Sequence, residues 1–161
     1  MTGIKKKQIF SLVVCIAIPL VAGLVGSIFT TPEIGGWYSN LVKPSFNPPS
    51  WIFAPVWIFL YFLMGLALFL IWQSPHSDKK RVALAMFGIQ LAFNVLWSFL
   101  FFRAHLLLWS LIEILILLNL IALTIRAFGA IKRQAALLLL PYWAWVLFAT
   151  FLTFSIWRLN W

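Results

Sequence analysis

The sequence predicts an all-α integral membrane bundle of five transmembrane helices, and two observations carry this prediction. Of the 161 residues, 64% are hydrophobic and 9% are charged, and the mean hydropathy is +1.03. A soluble domain carries about 25% charged residues, so this chain has too few charges to coat a water-facing surface. The apolar residues also form five continuous runs, each long enough to cross a hydrocarbon core of about 30 Å as a helix.

The five runs lie in what we interpret as a single domain of residues 1–161. They cover approximately residues 9–29, 51–72, 82–102, 106–128 and 135–157. Each run is much longer than the roughly 10-residue strands of a membrane barrel, and its apolar character does not alternate. The runs therefore favour helices over strands.

The first run follows three lysines, as the apolar part of a signal peptide would. It is longer than a typical signal-peptide apolar region, and no clean cleavage pattern ends it. Gly23 and Gly26, near its end, indicate close packing against another helix. We therefore interpret this run as a retained spanning helix.

The longest segment between runs, residues 30–50, contains four prolines and the pair Trp37-Tyr38. It is too polar to span a membrane and too aromatic for a simple linker. We expect an ordered loop across one end of the bundle. Pro48 and Pro49 are expected to set the start of the second helix, because proline is tolerated in a first helical turn.

The net charge is +9, and the basic residues are unevenly distributed between the two ends of the bundle. One end would carry Lys5, Lys6, Lys7, Lys79, Lys80, Arg81, Arg126, Lys132 and Arg133, and the other Lys43, Arg103 and Arg158. Short basic clusters between apolar runs indicate membrane topology and not nucleic-acid binding. The positive-inside rule predicts a cytoplasmic N-terminus. Strongly apolar helices favour a bacterial inner (cytoplasmic) membrane.

Aromatic and polar side chains recur at helical spacing in three of the predicted helices. The three faces are Phe53, Trp57, Tyr61 and Met64 in the second helix; Asn94, Trp97, Ser98 and Phe101 in the third; and Tyr142, Trp145, Ala149 and Leu152 in the fifth. Such faces could line a cavity for a planar hydrophobic ligand, through stacking. The alternative is helix packing without a ligand, and spacing alone favours it, because such stripes usually form a core.

Three polar residues fall inside the apolar runs. Gln90 and Asn94 each need a hydrogen-bond partner, because an unpaired amide in an apolar interior costs several kcal/mol. The partner could be another helix or a ligand. Burial of the Glu113 carboxylate in lipid costs free energy, and an acid inside a membrane span indicates a functional site by default. Glu113 is either neutral or paired with a basic or amide group.

Residue patterns typical of enzymes are missing from the sequence. It contains no Ser/His/Asp set, no paired carboxylates and no glycine-rich phosphate loop. His76 and His105 lie in loops, and Cys15 is the single cysteine. We expect no catalytic residues, no metal site and no required cofactor. Gly88 and Ala92 form a small-xxx-small pair, which is a candidate dimer contact.

The segment WYSNLVKPSFNPP at residues 37–49 resembles the signature of the TspO/MBR family. This family contains the bacterial tryptophan-rich sensory proteins and the mitochondrial translocator protein. The match continues at Pro55, Val56, Trp57, Leu60, Tyr61, Met64 and Gly65; at residues 90–94, Trp97, Phe101 and Phe102; and at Pro141, Tyr142, Trp145, residues 148–150, Leu152, Trp157 and Arg158. The resemblance covers essentially the whole chain.

The resemblance implies a five-helix bundle, commonly dimeric, with a pocket beneath the loop that joins the first two helices. Family members bind porphyrins such as protoporphyrin IX and haem, sterols and isoquinoline carboxamides. We therefore expect a membrane receptor for porphyrins with a regulatory or stress-sensing role in tetrapyrrole handling. Membrane lipid and a second copy of the chain are the other expected partners, and nucleic acid is not. The alternatives are a transporter of porphyrin or lipid and a porphyrin-degrading enzyme.

Motif matching assigns pocket residues, which the aromatic faces extend. The resulting ligand-binding set is Tyr38, Trp57, Tyr61, Asn94, Trp97, Tyr142, Trp145 and Ala149. Trp57 and Trp145 also match tryptophans implicated in porphyrin breakdown by some family members, and they would carry any enzymatic activity.

Two departures from the family pattern stand out. Phe154 replaces the tyrosine of the mitochondrial cholesterol motif, and Thr153 replaces its usual asparagine, which weakens the case for tight sterol recognition. Glu113 stands where relatives often have aspartate, so the acid is kept.

Overall fold

A computed structural model describes residues 2–161, with side chains described from Lys6 onward. Met1 lies outside the described residues, and so does the side chain of Lys5, one of the nine bases in the topology argument.

Six α-helices account for most of the described chain. They are α1 (Thr2–Ile34), α2 (Trp37–Asn40), α3 (Phe53–Trp72), α4 (Asp78–Ser98), α5 (Leu107–Gly129) and α6 (Arg133–Leu159). A 3₁₀ turn at Ser50–Ile52 precedes α3, and a π-helical turn at Phe99–Arg103 extends α4. The structure is 85% helical with no strand in the described part of the chain, and five helices are long and apolar enough to span a membrane. The predicted fold class is confirmed.

The first helix extends further than the sequence indicated. It continues through Pro32 to Ile34, so the ordered loop covers residues 35–49 and not 30–50. Proline removes one helical hydrogen bond, but membrane helices tolerate it when local packing and neighbouring groups compensate. Here the last turn of α1 is held from outside, because Glu33 Oε2 contacts His105 Nε2 at 3.2 Å.

The five spanning helices form a closed ring. Neighbouring helices around the ring are α1, α3, α6, α5 and α4, and α4 packs back against α1. This spatial order differs from the chain order, because α3 and α4, which are consecutive in sequence, make few direct contacts. Side chains from α3, α4 and α6 therefore meet near the axis of the ring, where the three aromatic faces converge.

Candidate ligand-binding site

An aromatic wall lines the inner side of the bundle between α3 and α6. Trp57 stacks on Tyr61, with ring centroids 5.3 Å apart, and meets Tyr142 edge-on at 6.1 Å. Toward the loop end, Trp145 contacts Phe53 at 6.1 Å and Phe148 at 5.5 Å. Trp57 and Trp145 are half-buried, whereas Tyr61 and Tyr142 are buried. The wall thus consists of two aromatic groups, one around Trp57 and one around Trp145, each with exposed area at its tryptophan.

Asn94 is the centre of a hydrogen-bond network that crosses the ring. Its Oδ1 accepts from the Tyr61 hydroxyl at 2.6 Å, and its Nδ2 donates to the Tyr142 hydroxyl at 3.2 Å. Tyr142 in turn donates to Gln90 Oε1 at 3.0 Å. Both polar groups of the Asn94 amide therefore have partners, on α3 and α6, and the Gln90 amide is bonded through its oxygen alone. In this conformation Asn94 serves interhelical bonding, one of the two roles the sequence left open.

The loop of residues 35–49 closes the end of the bundle above the wall. Phe46 contacts Phe148 of the wall, at 6.3 Å between ring centroids. The Tyr38 hydroxyl donates to Asn47 Oδ1 at 2.8 Å, which ties the two halves of the loop together. Asn160 accepts from Val42 N at 3.0 Å and donates to Val42 O at 2.9 Å. The second half of the predicted ordered loop is thus held to the end of α6.

Tyr38 is buried beneath this loop against the end of α4. Its ring lies 6.2 Å from that of Phe101 and 5.7 Å from that of Phe102. Burial raises the pKa of the Tyr38 phenol above its ordinary value near 10, so the group is neutral over the physiological range. Lys43 Nζ lies 4.9 Å from the centre of the same ring and donates to the carbonyls of Ser39 and Leu41, both at 3.0 Å.

The eight sequence-predicted residues fall into two adjoining apolar clusters. Trp57, Tyr61, Trp97, Tyr142, Trp145 and Ala149 belong to or pack on the main core, and Asn94 links α3, α4 and α6 within it. Tyr38 belongs to a second cluster with Phe101 and Phe102, and Trp97 packs against both clusters. The fold brings all eight toward the loop-side half and centre of the ring. Their roles toward a ligand stay a prediction.

The two aromatic residues that connect the loop to the wall were in neither the predicted set nor the three aromatic faces. Phe46 and Phe148 join the loop to the wall. Phe148 lies three residues after Trp145, so the helical spacing that identified Trp145 could have found it. Phe46 belongs to the same loop motif as Tyr38, but its contact with α6 depends on the fold of the loop.

His105 is exposed in the turn before α5, where it also makes specific contacts. Its backbone has a φ of 56°, in the left-handed region, and its ring stacks on Trp37 with centroids 4.1 Å apart. Together with the Glu33 contact, this stack joins the end of α1, the loop and the turn before α5. Histidine is one of the residues that adopt this region more often than most others do.

Several buried polar atoms make no hydrogen bond with the described part of the chain. They are Gln90 Nε2, Trp97 Nε1, Trp157 Nε1 and both carboxylate oxygens of Glu113. The basic or amide partner suggested for Glu113 is therefore not found among the described residues.

A protein-family model for the TspO/MBR family matches residues 15–158, which include the second half of α1, all of α3, α4 and α5, and nearly all of α6. The chain belongs to the TspO/MBR family. The tryptophan-rich protein TspO of Chlorobaculum tepidum is 42% identical over 155 residues, covering 96% of this chain and 98% of that protein. The human translocator protein is 38% identical over 144 residues, covering 88% of this chain and 85% of that protein. The tryptophan-rich sensory protein of Cereibacter sphaeroides is 41% identical over 125 residues, covering 78% and 77% of the two chains.

Membership of this family and five spanning helices make the chain an integral membrane protein. The family assignment made from the loop motif is confirmed. The names of its relatives support a receptor or sensor role for this TspO/MBR protein.

Proposed function

We propose that this TspO/MBR protein is a membrane receptor that binds porphyrins such as protoporphyrin IX and haem and takes part in regulating tetrapyrrole handling. The observation that carries the proposal is the aromatic wall formed by Phe53, Trp57, Tyr61, Tyr142 and Trp145. A porphyrin is a flat, aromatic and largely apolar molecule. Stacking of a porphyrin on this wall would bury apolar area of both the ligand and the protein, and it would align their π-systems.

The way in for a porphyrin would be through the loop end of the bundle. The loop of residues 35–49 meets the wall through Phe46 and Phe148 and is held to α6 by Asn160. Few contacts hold this loop compared with the packing between the spanning helices, so opening it is the least costly way to admit a ligand. The two half-buried tryptophans, Trp57 and Trp145, would then present the exposed area of the wall to the porphyrin.

Lys43 offers a positive charge for the porphyrin carboxylates at this end. Its ammonium group now donates to the carbonyls of Ser39 and Leu41. Exchange of one of these bonds for a carboxylate would give a charge-assisted hydrogen bond, which is the stronger kind.

Titration of protoporphyrin IX into the detergent-solubilised protein tests the proposal. We expect saturable quenching of tryptophan fluorescence. Replacing both wall tryptophans (Trp57→Ala with Trp145→Ala) should weaken binding by about tenfold or more, since each aromatic contact contributes roughly 0.5–1.5 kcal/mol beyond its buried area. The matched control is Trp51→Ala with Trp109→Ala, which removes two exposed indoles and should leave the affinity unchanged.

Equal affinities for the wall variant and the control variant would contradict this site. A progressive loss of the porphyrin Soret band that requires Trp57 and Trp145 would instead indicate a degrading enzyme. Thermal melting of each variant without porphyrin shows whether its fold is intact.

The orientation proposed for this protein places the N-terminus in the cytoplasm, on the basis of the nine-to-three distribution of basic residues. Alkaline phosphatase, which folds actively only outside the cytoplasm, can be fused after the last residue or after the turn between α5 and α6. A fusion after Trp161 should be active and one after Arg133 inactive. The reverse pattern would overturn the orientation.

The homodimer also stays a prediction. Gly88 and Ala92 both lie on an exposed face of α4, and nothing lies within 4 Å of a Cβ placed at Gly88. This small-residue face is therefore open to a neighbour within the membrane, which is consistent with a role in association.

A further inference from the structure

The corner between α3 and α4 carries a surface cavity of about 530 Å³, far from the aromatic wall. It is lined by Trp72, His76, Lys80, Arg81 and Leu84. The corner lies at the same end of the bundle as the turn between α5 and α6, opposite the loop of residues 35–49. Nothing in the proposed porphyrin function uses these residues.

The cavity has one wall whose conformation is fixed by hydrogen bonds. Lys80 Nζ donates to the carbonyls of Trp72 at 2.6 Å and Ser74 at 2.7 Å, and it lies 5.6 Å from the centre of the Trp72 ring. Ser77 caps α4 by accepting from the backbone N–H of Lys80 at 3.2 Å. Lys80 therefore satisfies the carbonyls that end α3 and holds the indole of Trp72 beside the cavity.

The mouth of the cavity is positively charged and lacks internal neutralisation. Arg81 is exposed, and its guanidinium makes no hydrogen bond or ion pair with any residue that the structure describes. Asp78, the one acid in this corner, forms no ion pair within the same residues. Asp78 lies in the first turn of α4 and offsets the partial positive charge of that helix N-terminus. An anion in the cavity would therefore meet mainly Lys80 and Arg81.

The inner part of the cavity is apolar. Leu84 lies one helical turn further into the membrane than Lys80 and Arg81, and Trp72 faces it with an indole that is 53% exposed. Tryptophan favours the level of lipid headgroups, where its ring meets both apolar and polar surroundings. The cavity thus passes from cationic to apolar along the direction in which a lipid passes from phosphate to acyl chain.

We propose that this corner binds the headgroup of an anionic phospholipid such as phosphatidylglycerol. Arg81 and His76 contact the phosphate and Lys80 adds its charge, while Trp72 and Leu84 pack on the glycerol ester and the first methylenes. A free phosphate would make no use of the apolar part. A phosphatidylcholine headgroup brings its own cation, which Arg81 repels. Basic pockets at helix ends are sites of this kind in membrane proteins.

Native mass spectrometry of the full-length detergent-solubilised protein can count bound lipids directly. Phosphatidylglycerol and phosphatidylcholine of identical acyl chains are added in turn, and the affinity of each is measured for wild type, Arg81→Gln and Arg133→Gln. Arg133 is exposed at the same end of the bundle, at the start of α6, so its replacement removes the same charge away from the cavity.

We expect phosphatidylglycerol to bind the wild-type protein more tightly than phosphatidylcholine. Arg81→Gln should weaken phosphatidylglycerol binding about fivefold, the effect of one basic residue near an anionic lipid, while Arg133→Gln stays close to wild type. Trp72→Ala should also weaken lipid binding. His76→Gln, a change in an exposed loop, gives a second variant if Arg81→Gln does not fold.

Equal weakening by Arg81→Gln and Arg133→Gln would show diffuse attraction by net charge and overturn the site. Equal affinity of the wild-type protein for phosphatidylglycerol and phosphatidylcholine would also overturn the site. Inorganic phosphate is added as a competitor in the last comparison. If it displaces phosphatidylglycerol at millimolar concentration and Trp72→Ala has no effect on lipid binding, the corner is a free-anion site and the lipid proposal is wrong.

Discussion

The substitution Gly65→Ala is expected to lower the stability of the bundle by about 3 kcal/mol, the upper part of the range for overpacking. A Cβ at this position would lie 2.5 Å from Cα of Ile16 and 3.0 Å from the carbonyl oxygen of Cys15. Both neighbours are backbone atoms of α1, so no side-chain rotation can relieve the clash. The whole of α1 must move away from α3.

The close approach at Gly65 has a reason in the sequence of α1. Pro19 has no N–H to donate to the carbonyl of Cys15, four residues earlier, so that carbonyl lacks its usual helical partner. Gly65 exposes its Cα hydrogens to the same oxygen, and contacts of this kind recur where membrane helices pack closely. A methyl group at Gly65 would replace this contact with a clash.

Cys15 makes the experiment simple, because it is the single cysteine of the chain and is buried beside Gly65. Heating in the presence of a thiol-reactive fluorophore reports directly when α1 separates from α3. The Gly65→Ala variant should react at a lower temperature than wild type.

Gly88→Ala is the matched control for this prediction, measured on the monomeric protein because Gly88 is also a candidate dimer contact. Nothing lies within 4 Å of a Cβ at Gly88 in α4, so the methyl group is accommodated. Alanine also favours the helix over glycine by roughly 0.5–1 kcal/mol. This variant should be as stable as wild type or slightly more stable. Equal melting of the two alanine variants would contradict the tight α1–α3 contact.

The substitution Asn94→Leu is expected to destabilise the bundle by about 1–3 kcal/mol. It removes the acceptor for the Tyr61 hydroxyl and the donor to the Tyr142 hydroxyl, and it leaves a buried phenol without its partner. Because these bonds join α4 to α3 and α6 across the ring, the loss should appear as a lower melting temperature. Leucine is close to asparagine in size, so we do not expect the loss of stability to come mainly from a cavity.

Asn119→Leu provides the comparison for Asn94. Asn119 is exposed on α5, and its side chain donates only to the carbonyl of Leu115 in its own helix, at 2.8 Å. In lipid, leucine there should be neutral or stabilising. If Asn94→Leu has the same melting temperature as the wild-type protein, the hydrogen-bond network contributes nothing to stability. Weaker porphyrin binding by a stably folded Asn94→Leu would then indicate a direct role of Asn94 at the ligand.

The sequence predicted the aromatic faces well, because helical spacing is a local property. Residues four apart share a face in any helix, so Phe53, Trp57 and Tyr61 were expected to turn the same way. They do, toward the interior of the ring. The requirement that Asn94 find a partner was also predictable, since the cost of an unpaired buried amide does not depend on the fold. Its partners were not, because they lie 33 and 48 residues away in the chain.

Helix ends and loop contacts were less predictable. Pro32 suggested that α1 should end before it, but the helix continues to Ile34. In the extended last turn, Glu33 contacts His105 of the turn before α5, which is a contact between residues far apart in the chain. The stack of His105 on Trp37 depends on a left-handed backbone at His105, for which the sequence contains no signal.

Composition and run length alone determined that this protein lies in a membrane as five helices, because transfer of apolar residues into lipid depends on each segment separately. The tertiary structure decided which helices are neighbours. Lipid is as apolar as the helix surfaces, so the hydrophobic effect does not select helix partners within the bilayer. Close-fitting contacts such as Gly65 against Cys15 and hydrogen bonds such as Asn94 to Tyr142 make that selection, and both join residues far apart in the chain.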